Sequence, residues 1–252
     1  MESRPQAAIE TLRARIRAIE WGARAPRGVL PFGVDALDKA LLEGGLALGA
    51  LHEVAGGGAG AVDGAAAALF AAGIGARSPG LVLWCVTRPD LFAPAVDQAG
   101  LHPDRIIYAE AGDEKTVLAC FEEGLRHGGL GAVVAEVARL SMTASRRLQL
   151  AAENSGTIGI AVRRWRRQTE AADFGQPTAA VTRWRISALP STPLPVPGIG
   201  RARWLVELIR CRAGECAEFV VEACDEEGRL ALPADLADRS AASRNGRRRT
   251  SA

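Results

Sequence analysis

Apolar positions along the chain change period more than once. Over Ser3–Trp21, Ile9, Leu12, Ile16 and Ile19 recur at three- and four-residue steps, while Glu10, Arg13, Arg15, Arg17 and Glu20 fill the other faces. That is the pattern of an amphipathic helix. Its apolar stripe must cover something, either its own domain or another chain. Ala23–Gly28, with its proline, reads as a linker that sets residues 1–24 apart from the core. From Leu30 the pattern predicts a short helix around Val34–Leu42, a stop at Gly44-Gly45 and a strand leading to Val54. Gly64–Ala76 follows as a crossover helix. Leu81–Val86 (LVLWCV) and Gly131–Val137 (GAVVAEV) are short apolar runs of the kind buried on both faces of a parallel sheet. Between and after them the chain predicts helices over Asp90–Ala99, Asp113–Arg126 and Ser141–Glu153, and strands over Arg105–Tyr108 and Thr157–Val162.

Strands alternating with helices in this way predict an α/β domain: a mostly parallel sheet covered by helices. Beyond Val162 the texture changes. Ala180–Ser187 and Arg203–Cys211 alternate arginine and tryptophan with other residues, a proline-rich turn over Pro190–Gly198 joins them, and Ala217–Glu222 adds one more strand. These read as antiparallel strands added at one edge. The core therefore spans residues 29–223, and residues 238–252, small, polar and rich in arginine, read as a disordered basic tail.

Composition narrows the class. With 252 residues, 48% apolar and 24% charged, the chain fits one main soluble domain with terminal extensions. Its longest apolar run, Gly64–Ala76, is too short and too rich in glycine and alanine to span a bilayer. Five cysteines without C-x-x-C spacing fit a reducing compartment, and with no signal peptide the expected location is the cytoplasm, with no membrane contact. No metal site is expected, because no histidine lies near Cys211, Cys216 and Cys224.

The chemistry centres on LHEVAGGGAGAVDG, Leu51–Gly64: a strand, a glycine cluster of Gly56, Gly57, Gly58 and Gly60, and an alanine-rich helix. This is the layout of a phosphate-binding loop, whose lysine neutralises phosphates and whose hydroxyl holds Mg²⁺. Here Val62 stands at the lysine position and Asp63 at the hydroxyl position. An acid there repels phosphate, and the simplest role for Asp63 is a cap on the following helix. Glu53, just before the loop, reads as a strand end, and His52, His102 and His127 read as structural. A second candidate site is Arg163-Arg164-Trp165-Arg166-Arg167, where arginines could neutralise phosphates and tryptophan could stack on a base, a combination suited to single-stranded DNA. Arg183-Trp184-Arg185 and Arg201, Arg203 and Trp204 repeat the pattern; a solvated edge-strand face is the alternative for all of them.

The run GVDALDKALLEGGLALGALHEVAG resembles the entry to the core of RecA-type recombinases, and the spacing to GAVVAEV continues the likeness. With the alanine-rich helix and the arginine-rich end, the chain over about residues 5–215 is similar to the ImuA-type proteins of bacterial damage-inducible mutagenesis cassettes. The resemblance implies a RecA-like fold whose nucleotide site has degenerated. Arg88 follows the strand where a catalytic glutamate belongs, and Glu136 stands where a Mg²⁺-associated aspartate belongs. Hydrolysis needs positioning, metal and charge neutralisation together, so the expectation is an inactive ATPase-like domain with no catalytic residue and no cofactor. The resemblance also implies a role in translesion DNA synthesis within the SOS response to DNA damage. The partners it implies are a Y-family-like polymerase subunit and an error-prone polymerase α subunit; RecA and single-stranded DNA are further candidates. Ile9, Leu12, Ile16 and Ile19 would offer one such partner surface, and Arg163–Arg167 lies where RecA-like proteins carry a mobile DNA-binding loop. The rivals are a RecA-like SOS cell-division inhibitor and a true RecA-type ATPase.

Overall fold

The computed structural model describes residues 27–233 apart from 59, 166, 167, 193, 195, 196 and 213, and it leaves the side chains of 168–170 and 172 undescribed. The stripe over Ser3–Trp21, Arg166, Arg167 and the basic tail thus lie outside the described residues.

Ten strands and five α-helices follow one another in the described chain. The strands are β1 (Val29–Leu30), β2 (Leu46–Ala47), β3 (Leu51–Gly56), β4 (Val82–Val86), β5 (Ile106–Glu110), β6 (Ala132–Val137), β7 (Ile158–Arg163), β8 (Thr182–Leu189), β9 (Arg203–Cys211) and β10 (Ala217–Glu222). The helices are α1 (Asp35–Ala40), α2 (Ala61–Arg77), α3 (Ala93–Gln98), α4 (Glu114–His127) and α5 (Met142–Ser155). Eight strands form one sheet in the order β10-β9-β8-β3-β7-β6-β4-β5. Pairing is parallel from β8 through to β5 and antiparallel along β8-β9-β10, the mixed sheet the sequence predicts. β1 and β2 pair separately as a small antiparallel ribbon that the sequence did not reveal.

Helix α2 runs between the sheet and the 223–230 segment. Ala66, Ala67, Ala68, Ala71 and Ala72 are buried along it, and a β-carbon on Gly73 would strike the Cys224 sulfur at 2.3 Å. An alanine-rich helix with no polar face belongs in such a position, because small side chains let it approach its neighbours on several sides. An aromatic cluster fastens it: Phe70 lies 5.5 Å from Phe32, 5.6 Å from Trp184 and 6.5 Å from Trp204. Trp184 and Trp204 are buried in this core, so the tryptophans of β8 and β9 offer no stacking face to a nucleobase.

On the opposite side α4 and α5 pack over β3, β4, β6 and β7 around Phe121, Leu125, Leu148 and Val133. Asp113 caps α4 through the Thr116 amide, and Ser141 caps α5 through the Ala144 amide. Helix α3 is shorter than the predicted Asp90–Ala99. Pro94 sits in its first turn, and Asp90 is used instead in the loop after β4. Among the described residues no helix is long and apolar enough to cross a membrane.

Candidate functional site

The glycine loop leaves the C-terminal end of β3, where an open α/β sheet places its ligands. Helix α2 begins at Ala61, three residues before the predicted start, with Gly60 as its N-cap. Asp63 is therefore not the cap. It lies inside the first turn, and both carboxylate oxygens are spoken for: Oδ2 accepts the Gly58 amide at 2.8 Å and Oδ1 accepts the Ala188 amide of β8 at 2.9 Å. A phosphate-binding loop turns such amides toward its ligand. Here an anion belonging to the chain takes one of them and ties the loop to β8.

The glycines serve the same closure. The Gly57 amide donates to the Ile186 carbonyl at 2.7 Å, and a β-carbon on Gly57 would meet the Ser187 hydroxyl at 1.8 Å. Val62, at the lysine position, is 69% exposed and offers no charge.

The second acidic position is equally committed. Glu136, near the end of β6, accepts the Trp84 indole N–H at 3.1 Å on one oxygen and the Arg164 guanidinium at 2.6 Å on the other. Arg164 also holds Asp90 at 2.8 Å. Burial raises the Glu136 carboxyl above its usual range, with Arg164 opposing the shift. Glu136, Arg164 and Asp90, with Thr87, Arg88 and Trp165, line a polar cavity of about 340 Å³ over the ends of β4, β6 and β7. Arg88, Glu136, Arg164 and Trp165 are thus brought together, whereas the glycine loop stands apart on β3 and does not line the cavity.

Arg163 is placed differently from the expectation that it meets DNA. Its side chain is fully buried, donating to Glu53 Oε1 at 2.7 Å, to the Ala138 carbonyl at 2.7 Å and to Asp173. Glu53, also fully buried, accepts the Thr178 hydroxyl at 2.8 Å. Arg183 Nε lies 2.8 Å from Glu53 Oε2, an ion pair off the line of an N–H hydrogen bond. Burial lowers the Arg183 guanidinium and Glu53 opposes the shift.

This cluster of two arginines and two acids pins the segment between β7 and β8, which forms a 3-10 turn over Gln168–Gly175. Phe174 lies under Arg183 at 4.5 Å and edge-on to Trp165 at 5.7 Å. Where the resemblance implies a mobile DNA-binding loop, residues 173–178 are tied to the sheet by ion pairs and hydrogen bonds.

Glu53, Asp173, Thr178 and Trp84 are the residues the sequence reading missed. One signal was available for Glu53, which lies within β3 rather than at its end: an acid inside an otherwise apolar strand must find a buried partner. Burial pushes Cys85 and Cys224 up to about 12, which leaves both thiols protonated and unreactive. Among the described residues no three His, Cys, Asp or Glu side chains come together in a way that could hold a metal ion. A Mg²⁺–nucleotide does not fit the residues present. Its lysine is absent, Asp63 opposes its charge at the loop, and Glu136 is held by Trp84 and Arg164.

Comparison with known proteins agrees with the architecture. No family model matches the chain. The RadB recombinase crystal structure superposes with a TM-score of 0.55 at 20% identity, covering 81% of this chain and 99% of its own, a likeness of fold. Protein ImuA from two strains of Caulobacter vibrioides is 38% identical over 245 residues, 92% of this chain and 99% of the relative. At that identity and coverage, the chain belongs to the ImuA family, built on a RecA-like fold.

Proposed function

We propose that this protein is a non-hydrolysing accessory factor of damage-induced, error-prone translesion synthesis, acting through protein contacts. Family membership supports the mutagenic role. One observation carries the non-hydrolysing half: Asp63 occupies the Gly58 amide of the glycine loop, which a phosphate would use, and ties the loop to β8. The partners in this reading are a Y-family-like polymerase subunit and an error-prone polymerase α subunit, with RecA as a further candidate. Contact with single-stranded DNA is the lesser part of the proposal, since Arg163 is buried and Arg164 already faces two acids.

The test is the ultraviolet-induced mutation frequency of a strain lacking the gene, scored beside cell length after damage. Loss of induced mutation with normal filamentation is the expected result. Normal mutation with lost filamentation would instead identify a division inhibitor.

The loop chemistry has its own check. Asp63→Ala leaves the Gly58 and Ala188 amides without their acceptor and is expected to cost about 1–3 kcal/mol in urea unfolding. It should not confer Mg²⁺-ATP binding in calorimetry, because the missing lysine is not restored. Saturable binding by the parent protein together with release of phosphate would end the non-hydrolysing reading and revive the ATPase.

A further inference from the structure

The two faces of the sheet are unequally covered. On the α2 side the buried core runs out to Trp204, Val206 and Leu208 of β9 and Val221 of β10. On the α4–α5 side it stops short: none of its members belongs to β8, β9 or β10. The 3-10 turn covers only the beginning of β8, where Phe174 meets Arg183. Beyond it the outward positions of the antiparallel strands form a strip that no helix of the described chain packs over. Leu205 faces Val220 in one row, and Arg185, Glu207 and Glu218 align in the next. Leu205 and Val220 are half-buried.

We propose that residues 3–21 of the same chain lie as a helix across this strip, completing the α4–α5 layer. The chain arrives at the right place. Arg27, the first described residue, stands against Gly156 at the C-terminal end of α5, its side chain 3.6 Å from where a β-carbon would be. The open strip begins beyond α5 on that face.

The lengths agree as well. The nine-residue strand β9 spans about 30 Å at about 3.3 Å per residue, and a helix over Ser3–Trp21 spans roughly 28 Å at about 1.5 Å per residue. Ile9, Leu12, Ile16 and Ile19 supply an apolar stripe for Leu205 and Val220.

Charge supplies the third argument. Glu218 lies directly across from Glu207, a like-charged pair that is unfavourable by itself. Arg185, 3.4 Å from Glu207, answers one of the two acids, and no described residue pairs with Glu218. Arg13 and Arg15 flank the apolar stripe on either side of the helix and bring the missing cation. The stripe is then consumed within the chain, and partners must read other surfaces. This inference does not depend on the role in mutagenesis.

The experiment uses the full chain with the photo-reactive residue benzoylphenylalanine in place of Glu218, an exposed position where the probe leaves the core untouched. Irradiation at low concentration followed by mass spectrometry should map a cross-link to residues 3–21 in a product of monomer mass. Leu12→Asp in the same chain should abolish it. Cross-links only to other parts of the chain, only to a second copy, or undiminished by Leu12→Asp would overturn the proposal. Circular dichroism of the Leu12→Asp chain reports whether the sheet is intact. Should that variant unfold, Ile16→Asp provides the same comparison.

Discussion

Replacing Glu53 by glutamine is expected to lower the unfolding free energy by about 3–5 kcal/mol, the usual cost of breaking a buried ion pair from one side. Glu53 faces Arg163, Arg183 and Thr178 in a region where it and Arg163 have no solvent exposure. With Asp173 the cluster is balanced, two cations against two anions. Removing one carboxylate leaves an uncompensated guanidinium in a poorly hydrated place, and no rearrangement of a neutral amide can supply the lost charge. Urea unfolding of the variant beside the parent measures the cost. The Glu53→Gln, Arg183→Gln pair restores charge balance and should recover part of it, a coupling that a double-mutant cycle reads directly. The loss should also appear as faster proteolysis between β7 and β8, because the same groups hold that segment to the sheet. A change below about 1 kcal/mol would mean that water screens the cluster as it does a surface pair.

That cluster also marks where sequence and structure part. The parallel strands were legible because burial on both faces leaves an unbroken apolar run, as in LVLWCV and GAVVAEV, and the helices between them because their caps and periods are local. The antiparallel edge was legible from its alternation. The alternation in Arg183-Trp184-Arg185 reveals two faces without saying which is buried, and the answer lies in Phe70 and Phe32, distant in sequence. The arginine run was misleading for a similar reason. Arg163 is the last residue of a buried strand, and the acid that receives it is 110 positions away. Asp63 shows the limit within a single loop. Its opposition to phosphate was readable from charge alone, but its bond to Ala188, 125 positions on, exists only because β8 pairs with β3.

Acid should weaken the fold through His52. On β3 its ring is fully buried, facing the Ala47 carbonyl at 2.9 Å through Nε2 and the Thr182 hydroxyl at 2.7 Å through Nδ1. The Trp184 indole N–H donates to that same hydroxyl at 2.7 Å, so the hydroxyl proton is directed to Nδ1 and the ring accepts there as a neutral base, donating from Nε2. Burial pushes His52 down to about 4, against 6.5 for an ordinary histidine, with the bond to Ala47 opposing the shift. The unfolded chain therefore takes up a proton below pH 6.5 that the folded chain refuses until about pH 4. Stability from this group is complete above pH 6.5, falls as the pH drops through that window and levels off below it, a loss of roughly 3 kcal/mol. Glu136 works in the opposite sense. Its raised carboxyl takes up a proton more readily folded than unfolded, which favours the fold as acid is added. The two are separated by His52→Gln, which removes the imidazole and leaves Glu136 in place. Urea unfolding at pH 7, 5.5 and 4.5 should show a steeper loss in the parent than in the variant. Parallel curves would mean that the His52 ring is hydrated and that the bonds to Thr182 and Ala47 do not exclude its proton.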